Sequence, residues 1–356
     1  MILQKYRYFG ALRLLLAVLV MVQHFGVNLA APNTVATLYP LAIGTIAVVV
    51  FFMLSGFIIA EAAHYFYTKR PFPFLLNRVL RIIPPFLVAI SISVGVHYYF
   101  LYQDYSLLSL EGETLTNAIF APHELLKNYT SFLPAMRIMG ALPAYSFLPY
   151  IWAVRVELLF YAAVFGAGVM AKYIKPISHS TAMALAGLGG LAVFGLFALG
   201  KAPALFGFAP YFVFGAALFY ILSGHKKAWA LLLPAGLAMT WHFGQLPILD
   251  AKSHAFAPNM PAQFLIFGAL TLATVILATL NSTRFQKLDR FWGELSYPLY
   301  LNHFIVGVVW KSLYPDPSDN LFYVACGTSF VFSIVMYYLV EPPLKKLRNI
   351  VRGQKL

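Results

Sequence analysis

Two ionisable side chains, Arg13 and His24, stand eleven positions apart inside the first long apolar run of a 356-residue chain. On a helix that spacing leaves them roughly 20° apart around the axis and about 16 Å apart along it, so they share one stripe. Ionisable groups at membrane depth are costly and by default mark functional cavities. A histidine can take up and return a proton near neutral pH, and an arginine can hold an anion. Glu157 enters a later apolar run from the opposite end. Counting helical rise puts His24 about 22 Å above the inner boundary and Glu157 about 12 Å below the outer one, in a core of about 30 Å. The two fall at nearly one level, where a carboxylate would fix the imidazole tautomer and support a general base. The alternative is that Glu157 neutralises a cation on another helix; Arg155, two residues away, points to a different face.

Such a pair needs helices embedded in hydrocarbon. The chain is 61% hydrophobic and 10% charged, with mean hydropathy +0.76, which excludes an ordinary soluble domain. The expected fold is an all-α integral membrane bundle in one domain over residues 1–356. A window of about twenty residues gives ten expected spans, near 9–30, 40–62, 82–102, 149–171, 181–199, 203–222, 227–243, 261–280, 296–313 and 321–341. Arg13, Gln23 and His24 argue against reading the first as a cleaved signal. Most of the 25 Lys and Arg fall in alternate loops on one side, and only Lys127, Arg137, Lys201, Lys252 and Lys311 on the other. That asymmetry predicts both termini in the cytoplasm. The net charge of +13 is a topology signal and not a nucleic-acid footprint.

Residues 103–148, with Pro122, Pro134 and Pro143 and several acids, are too long for a simple connector and read as an outer lid with a short helix or two. No internal repeat and no second domain is evident. Cys326 is the only cysteine and reads as packing. His64, His97, His123, His179, His225, His242 and His254 sit at span ends or in loops and read as interfacial or solvated, whereas His303 lies within a span. No spaced His or acid cluster suggests a metal. Among the outer aromatics, Tyr102, Tyr105, Tyr129, Tyr145 and Tyr150 form a sugar-stacking set, with interface anchoring as the alternative. Arg78 and Arg81, three residues apart, share a face and open the third expected span, where helix amides and dipole favour a phosphorylated ligand.

Set in order, these elements resemble acyltransferase family 3, integral membrane enzymes that move acyl groups to cell-surface carbohydrates and other acceptors. The resemblance rests on Arg13 to His24, Phe51-Phe52-Met53-Leu54-Ser55-Gly56-Phe57, Arg78-x-x-Arg81-Ile82-x-Pro84, Trp152-x-x-x-x-Glu157-x-x-Phe160-Tyr161, Ser296-Tyr297-x-x-Tyr300-Leu301-x-His303 and Glu341-Pro342. This chain departs from the family pattern in having Gly10 where an acid often precedes the arginine, one carboxylate at Glu157 where two are common, Asn302 for a usual tryptophan, and Pro298.

The resemblance implies that His24 is catalytic, that Arg13 supports it or the donor, and that Arg78 and Arg81 contact acyl-coenzyme A. The donor would be acetyl-coenzyme A or a related thioester, with no metal. The acceptor would be a glycan or lipid-linked sugar such as bacterial lipopolysaccharide O-antigen, at the inner membrane. Ser55 would join the donor site. Ser55, Tyr297, Tyr300, Asn302 and His303 are candidate oxyanion donors, with Trp152 a further substrate candidate. Direct transfer is preferred to an acyl-enzyme, since no Gly-x-Ser-x-Gly elbow occurs. Two other classes remain open: a proton-coupled transporter using His24, Glu157 and Arg13, and a non-catalytic scaffold or sensor.

Overall fold

Helix starts follow local chemistry. Pro32, Pro71, Pro122 and Pro134 each occupy a first helical turn, where a missing amide proton costs nothing. Ser178, Asn259 and Ser318 cap later helices by accepting from the amides of Thr181 (3.1 Å), Ala262 (3.1 Å) and Leu321 (3.2 Å). The computed structural model describes residues 6–102, 118–246, 257–280 and 284–353, and among them the regular structure is helical. The order is α1 (Phe9–Asn28), α2 (Pro32–Leu38), α3 (Ile43–Tyr65), α4 (Pro71–Tyr102), α5 (Pro122–Thr130), α6 (Pro134–Ile138), α7 (Trp152–Tyr173), α8 (His179–Ala198), α9 (Ala209–Leu222), α10 (Trp229–Gln245), α11 (Met260–Thr279), α12 (Gln286–Leu313) and α13 (Asp319–Arg352).

Among the described residues eight segments are long and apolar enough to cross a membrane, not the ten expected. The two that fall short are helices too. α10 has 17 residues. α12 is long but is diluted by polar residues of the kind that build sites, Tyr297, Tyr300, Asn302 and His303 among them. The protein is an all-α integral membrane protein.

The centre of the bundle is α3, whose apolar window is 83% buried. It packs on α1, α7, α9 and α11. Its closest neighbour is α9, because Gly56 and Gly215 let the two backbones touch. A Cβ at Gly56 would lie 2.2 Å from the carbonyl oxygen of Phe212, and one at Gly215 would lie 1.9 Å from that of Met53. Any larger residue at either position must push the helices apart.

Two boundaries correct the sequence reading. α4 begins at Pro71, so Arg78 and Arg81 lie in its third and fourth turns and not at its N-terminus. The amide and dipole argument for anion binding therefore does not apply to them. α12 begins at Gln286, ten residues before the expected span, because Asp289 and Glu294 find partners inside the bundle.

Between α4 and α7, residues 103–117 lie outside the described residues, and the rest holds α5, α6 and a 3-10 turn at Pro149–Ile151. This segment is anchored on α4. His97 Nδ1 faces the carbonyl of Ser93 (2.7 Å) and so carries the proton, which leaves Nε2 to accept from the Tyr145 hydroxyl (2.9 Å). Asn128 bridges the carbonyl of Tyr145 and the amide of Phe147. Glu124 accepts from Lys127 (2.6 Å) and the Ala144 amide (2.8 Å).

The Lys127 hydrogen bond, with help from that amide, holds the Glu124 carboxyl below the usual glutamate range. A depressed carboxylate contributes stability that is present above its unfolded pKa and lost as pH falls through the folded value. Hydrogen-exchange protection across residues 124–147, corrected for the intrinsic pH dependence of amide exchange, is therefore expected to fall as pH drops below the usual glutamate range, and Glu124→Gln to remove that step.

Candidate active site

His24, near the end of α1, meets α12 and not α7. Its Nδ1 lies 2.8 Å from His303 Nε2, and its ring stacks on Tyr150 with centroids 3.5 Å apart and planes within 9°. The tautomers follow from the next contact. His303 Nδ1 lies 3.0 Å from the carbonyl oxygen of Leu299, which can only accept, so that nitrogen bears the proton. With both rings neutral, His303 Nε2 is an acceptor and His24 Nδ1 is the donor. The lone pair of His24 is then on Nε2, the nitrogen a general base needs. His303 is fully buried, which fixes the acceptor in place.

No hydrogen bond joins His24 to Glu157, which corrects the pairing expected from depth. Glu157 accepts from Ser55 (3.3 Å) and from Tyr161, one turn along its own helix. It lies within electrostatic reach of Arg13. The alternative reading, a carboxylate countering a cation on another helix, is the one the geometry supports.

Arg13, Arg78 and Arg81 gather near this carboxylate, each within electrostatic reach of another. Arg78 is buried between the rings of Phe74 (5.7 Å) and Tyr161 (5.9 Å), and its Nε has no hydrogen-bond partner among the described residues. Arg13 sits over the Phe51 ring at 5.6 Å. Buried cations without bonded carboxylates are costly unless a ligand supplies the anion. α13 adds cations that sequence reasoning counted only toward topology. Arg348 approaches Arg81 and pairs with Glu341 at 2.8 Å, and Arg352 approaches Arg78. The signal for them was the basic run continuing in helical register past Glu341-Pro342.

A narrow cavity of about 50 Å³ lies beside α1 between the two groups, lined by neither the arginines nor the histidines. On α1 its wall is Leu16, Ala17 and Val20, the stretch between Arg13 and His24. Ala47, Val48, Phe51, Phe52, Ala153, Val154, Glu157, Ser296, Tyr297 and Tyr300 complete it. Stacked rings of Phe52, Phe212 and Phe160 close it toward α9.

The candidate donors are unequal. Tyr297 donates to the carbonyl of Ile82 (3.0 Å) and Tyr300 to that of Tyr150. Asn302 donates to the carbonyl of Pro298 (2.9 Å), which lies in a helical stretch where the proline has no amide proton of its own. Ser55 is spent on Glu157. Trp152 packs on Phe52 and Phe208. Of the sugar-stacking set, Tyr150 alone is at the histidine pair. Tyr129 and Tyr145 bond Ser91 and His97, and Tyr105 and the side chain of Tyr102 lie outside the described residues and side chains.

A family model described as an acyltransferase domain matches residues 6–339, nearly the whole chain. The chain belongs to this acyltransferase 3 family. No curated protein and no solved structure matches it. The match spans the site residues from Arg13 on α1 to His303 on α12 and ends before Arg348 and Arg352 of α13.

The acyltransferase holds α1 against α12 by a device that no local motif reveals. Asp289 of α12 accepts from the amides of Gly10 (2.9 Å) and Ala11 (2.8 Å) and from the Tyr6 hydroxyl (2.8 Å). It thus satisfies two of the unpaired amides at the start of α1. Gly10 is required there, since a Cβ would fall 1.7 Å from the Asp289 carbonyl oxygen.

Other histidines depart from the interfacial expectation. His97 and His242 are buried, the latter bonded to Tyr211 at 3.2 Å. His254 lies outside the described residues. Among the described residues no group of three His, Cys, Asp or Glu could hold a metal ion.

Proposed function

We propose that this acyltransferase moves an acyl group, acetyl in the first instance, from cytoplasmic acyl-coenzyme A to a hydroxyl of an extracytoplasmic glycan such as lipopolysaccharide O-antigen. It would do so in the bacterial inner membrane with both termini in the cytoplasm. The observation that carries this reading is one α1 stripe with arginines lacking bonded carboxylates near one end, a tautomer-fixed histidine near the other, and a narrow cavity beside the stretch between them.

Donor phosphates, which cannot cross hydrocarbon, would rest on Arg78, Arg81 and Arg13. The uncharged pantetheine arm would run along α1 over the roughly 16 Å between Arg13 and His24. The cavity is well below the ~300 Å³ at which ligand pockets begin, so the donor must widen it, and Phe51, Phe52 and Tyr300 are the side chains that would move. On the acceptor side, the flat contact between Tyr150 and His24 suits exchange of the tyrosine face for a sugar face.

The chemistry then balances. His24 Nε2 takes the hydroxyl proton as the acceptor oxygen bonds the thioester carbonyl carbon. Collapse of the tetrahedral adduct breaks the carbon–sulfur bond, and the departing thiolate takes the proton from the imidazolium. His303 Nε2 accepts from the His24 Nδ1–H throughout, and the Trp152 N–H would serve as the oxyanion donor.

The test is transfer of radiolabelled acetyl from acetyl-coenzyme A to lipid-linked glycan by purified protein in vesicles. Label in glycan is the expected result. Consumption of no thioester together with proton-driven glycan flux would sink the reading in favour of a transporter.

A further inference from the structure

A second and larger cavity, about 790 Å³, lies between α7, α8 and α9. The Phe52, Phe212 and Phe160 stack separates it from the narrow cavity beside α1. Its walls are almost wholly apolar and rich in small residues, Gly166, Gly187 and Gly189 among them. At one end the chemistry changes. Tyr220, His225 and Lys227 line that end together with Ser180 and Thr181, at the level where α8 begins and α9 stops.

Behind this rim is a cluster of polar atoms with no hydrogen-bond partner among the described residues. They are His64 Nδ1, both ring nitrogens of His179, and the Tyr220 hydroxyl, all buried. The His64 ring lies 5.8 Å from that of His225, 6.3 Å from that of His179 and 5.8 Å from that of Tyr220. Tyr220 and His225 are 5.4 Å apart. Buried donors left unpaired are costly and call for a ligand. A metal ion does not fit, because these groups do not form a set of three possible ligands. No acidic residue lines the cavity, whereas Lys227 does, with Lys226 beside it in the same 3-10 turn.

We propose that this groove binds one anionic glycerophospholipid. Its acyl chains lie along the small-residue wall and its phosphate sits among His179, Tyr220, His225 and Lys227. The apolar volume calls for hydrocarbon tails, and the acid-free, donor-rich end calls for a negative headgroup. Neither feature depends on the acyl-transfer reading, since the cavity is walled off from that site and its test measures binding alone.

The full-length protein purified in detergent, titrated with dioleoyl phosphatidylglycerol or dioleoyl phosphatidylcholine and read by native mass spectrometry, decides the matter. Wild type is expected to retain the glycerol lipid about tenfold more tightly than the choline lipid, as two headgroup cations or donors would give. His179→Ala combined with Lys227→Ala is expected to erase that preference. Gly189→Phe tests the groove separately: a Cβ at Gly189 meets open space, so the ring fills the cavity without displacing a neighbouring helix, and both lipids should be lost. Equal retention of the two lipids by wild type, or undiminished phosphatidylglycerol binding by Gly189→Phe, would overturn the proposal.

Discussion

Replacing His24 by glutamine is expected to lower acyl transfer by about 10²–10⁴-fold through kcat, with little change in the donor KM, which is the range a general base supplies. Glutamine keeps a polar side chain on the α1 stripe but cannot take a proton. The size of the loss depends on which nitrogen is the base, and His303 decides that. Because His303 Nδ1 must donate to the Leu299 carbonyl, its Nε2 must accept from His24. His303→Leu removes the acceptor and lets His24 sample the wrong tautomer, so kcat falls and the pH profile of kcat shifts. His303→Gln can offer a carbonyl oxygen at a similar reach and is expected to restore much of the rate. If His303→Leu and His303→Gln lose the same activity with unchanged pH profiles, His303 is only packing. If His24→Gln turns over like wild type, His24 is outside the mechanism.

The stripe that carries Arg13 and His24 was legible because helical arithmetic fixes relations within one helix. Which helix faces that stripe was not. Counting rise from span ends gives depth, and Glu157 and His24 match in depth, but depth says nothing of neighbours around the bundle. The neighbour is α12, held to α1 by the Asp289 cap and by the close approach of Gly293 to Gly10, contacts about 280 residues apart in sequence. Charge misled at two boundaries for a related reason. Asp289, Arg290 and Glu294 read as loop, yet Asp289 caps α1 and Glu294 takes Lys345 and Tyr337, both at 2.8 Å. Past Pro342 and Pro343, α13 continues because Glu341 reaches forward to Arg348 and Asn77 of α4 donates to the Arg348 carbonyl. Tertiary partners thus absorb the cost of charges and prolines that local rules treat as stops.

The arginines make the second large prediction, and it must separate a donor site from simple packing. A charge-assisted hydrogen bond to a ligand is worth about 1.5–3 kcal/mol, so Arg78→Ala and Arg81→Ala are each expected to raise the donor KM roughly 10–100-fold, with a smaller change in kcat. Arg78 is buried between two rings, and its loss also leaves a cavity, so KM alone is ambiguous for it. The donor lacking its 3′-phosphate removes the ambiguity. If an arginine holds that phosphate, deleting the arginine and deleting the phosphate remove one interaction, and their penalties fail to add. An arginine acting only through packing leaves the two penalties additive. Arg78→Lys sharpens the comparison: a lysine keeps the charge but has nothing to replace the unpaired Nε donor or the planar stacking on Phe74 and Tyr161, so it should recover little. Additive penalties at both arginines would move the donor 3′-phosphate elsewhere, and a fall in kcat equal to that of His24→Gln with KM unchanged would take the arginines out of donor binding altogether. Arg348 and Arg352 on α13, which approach Arg81 and Arg78, would then be the next cations to test.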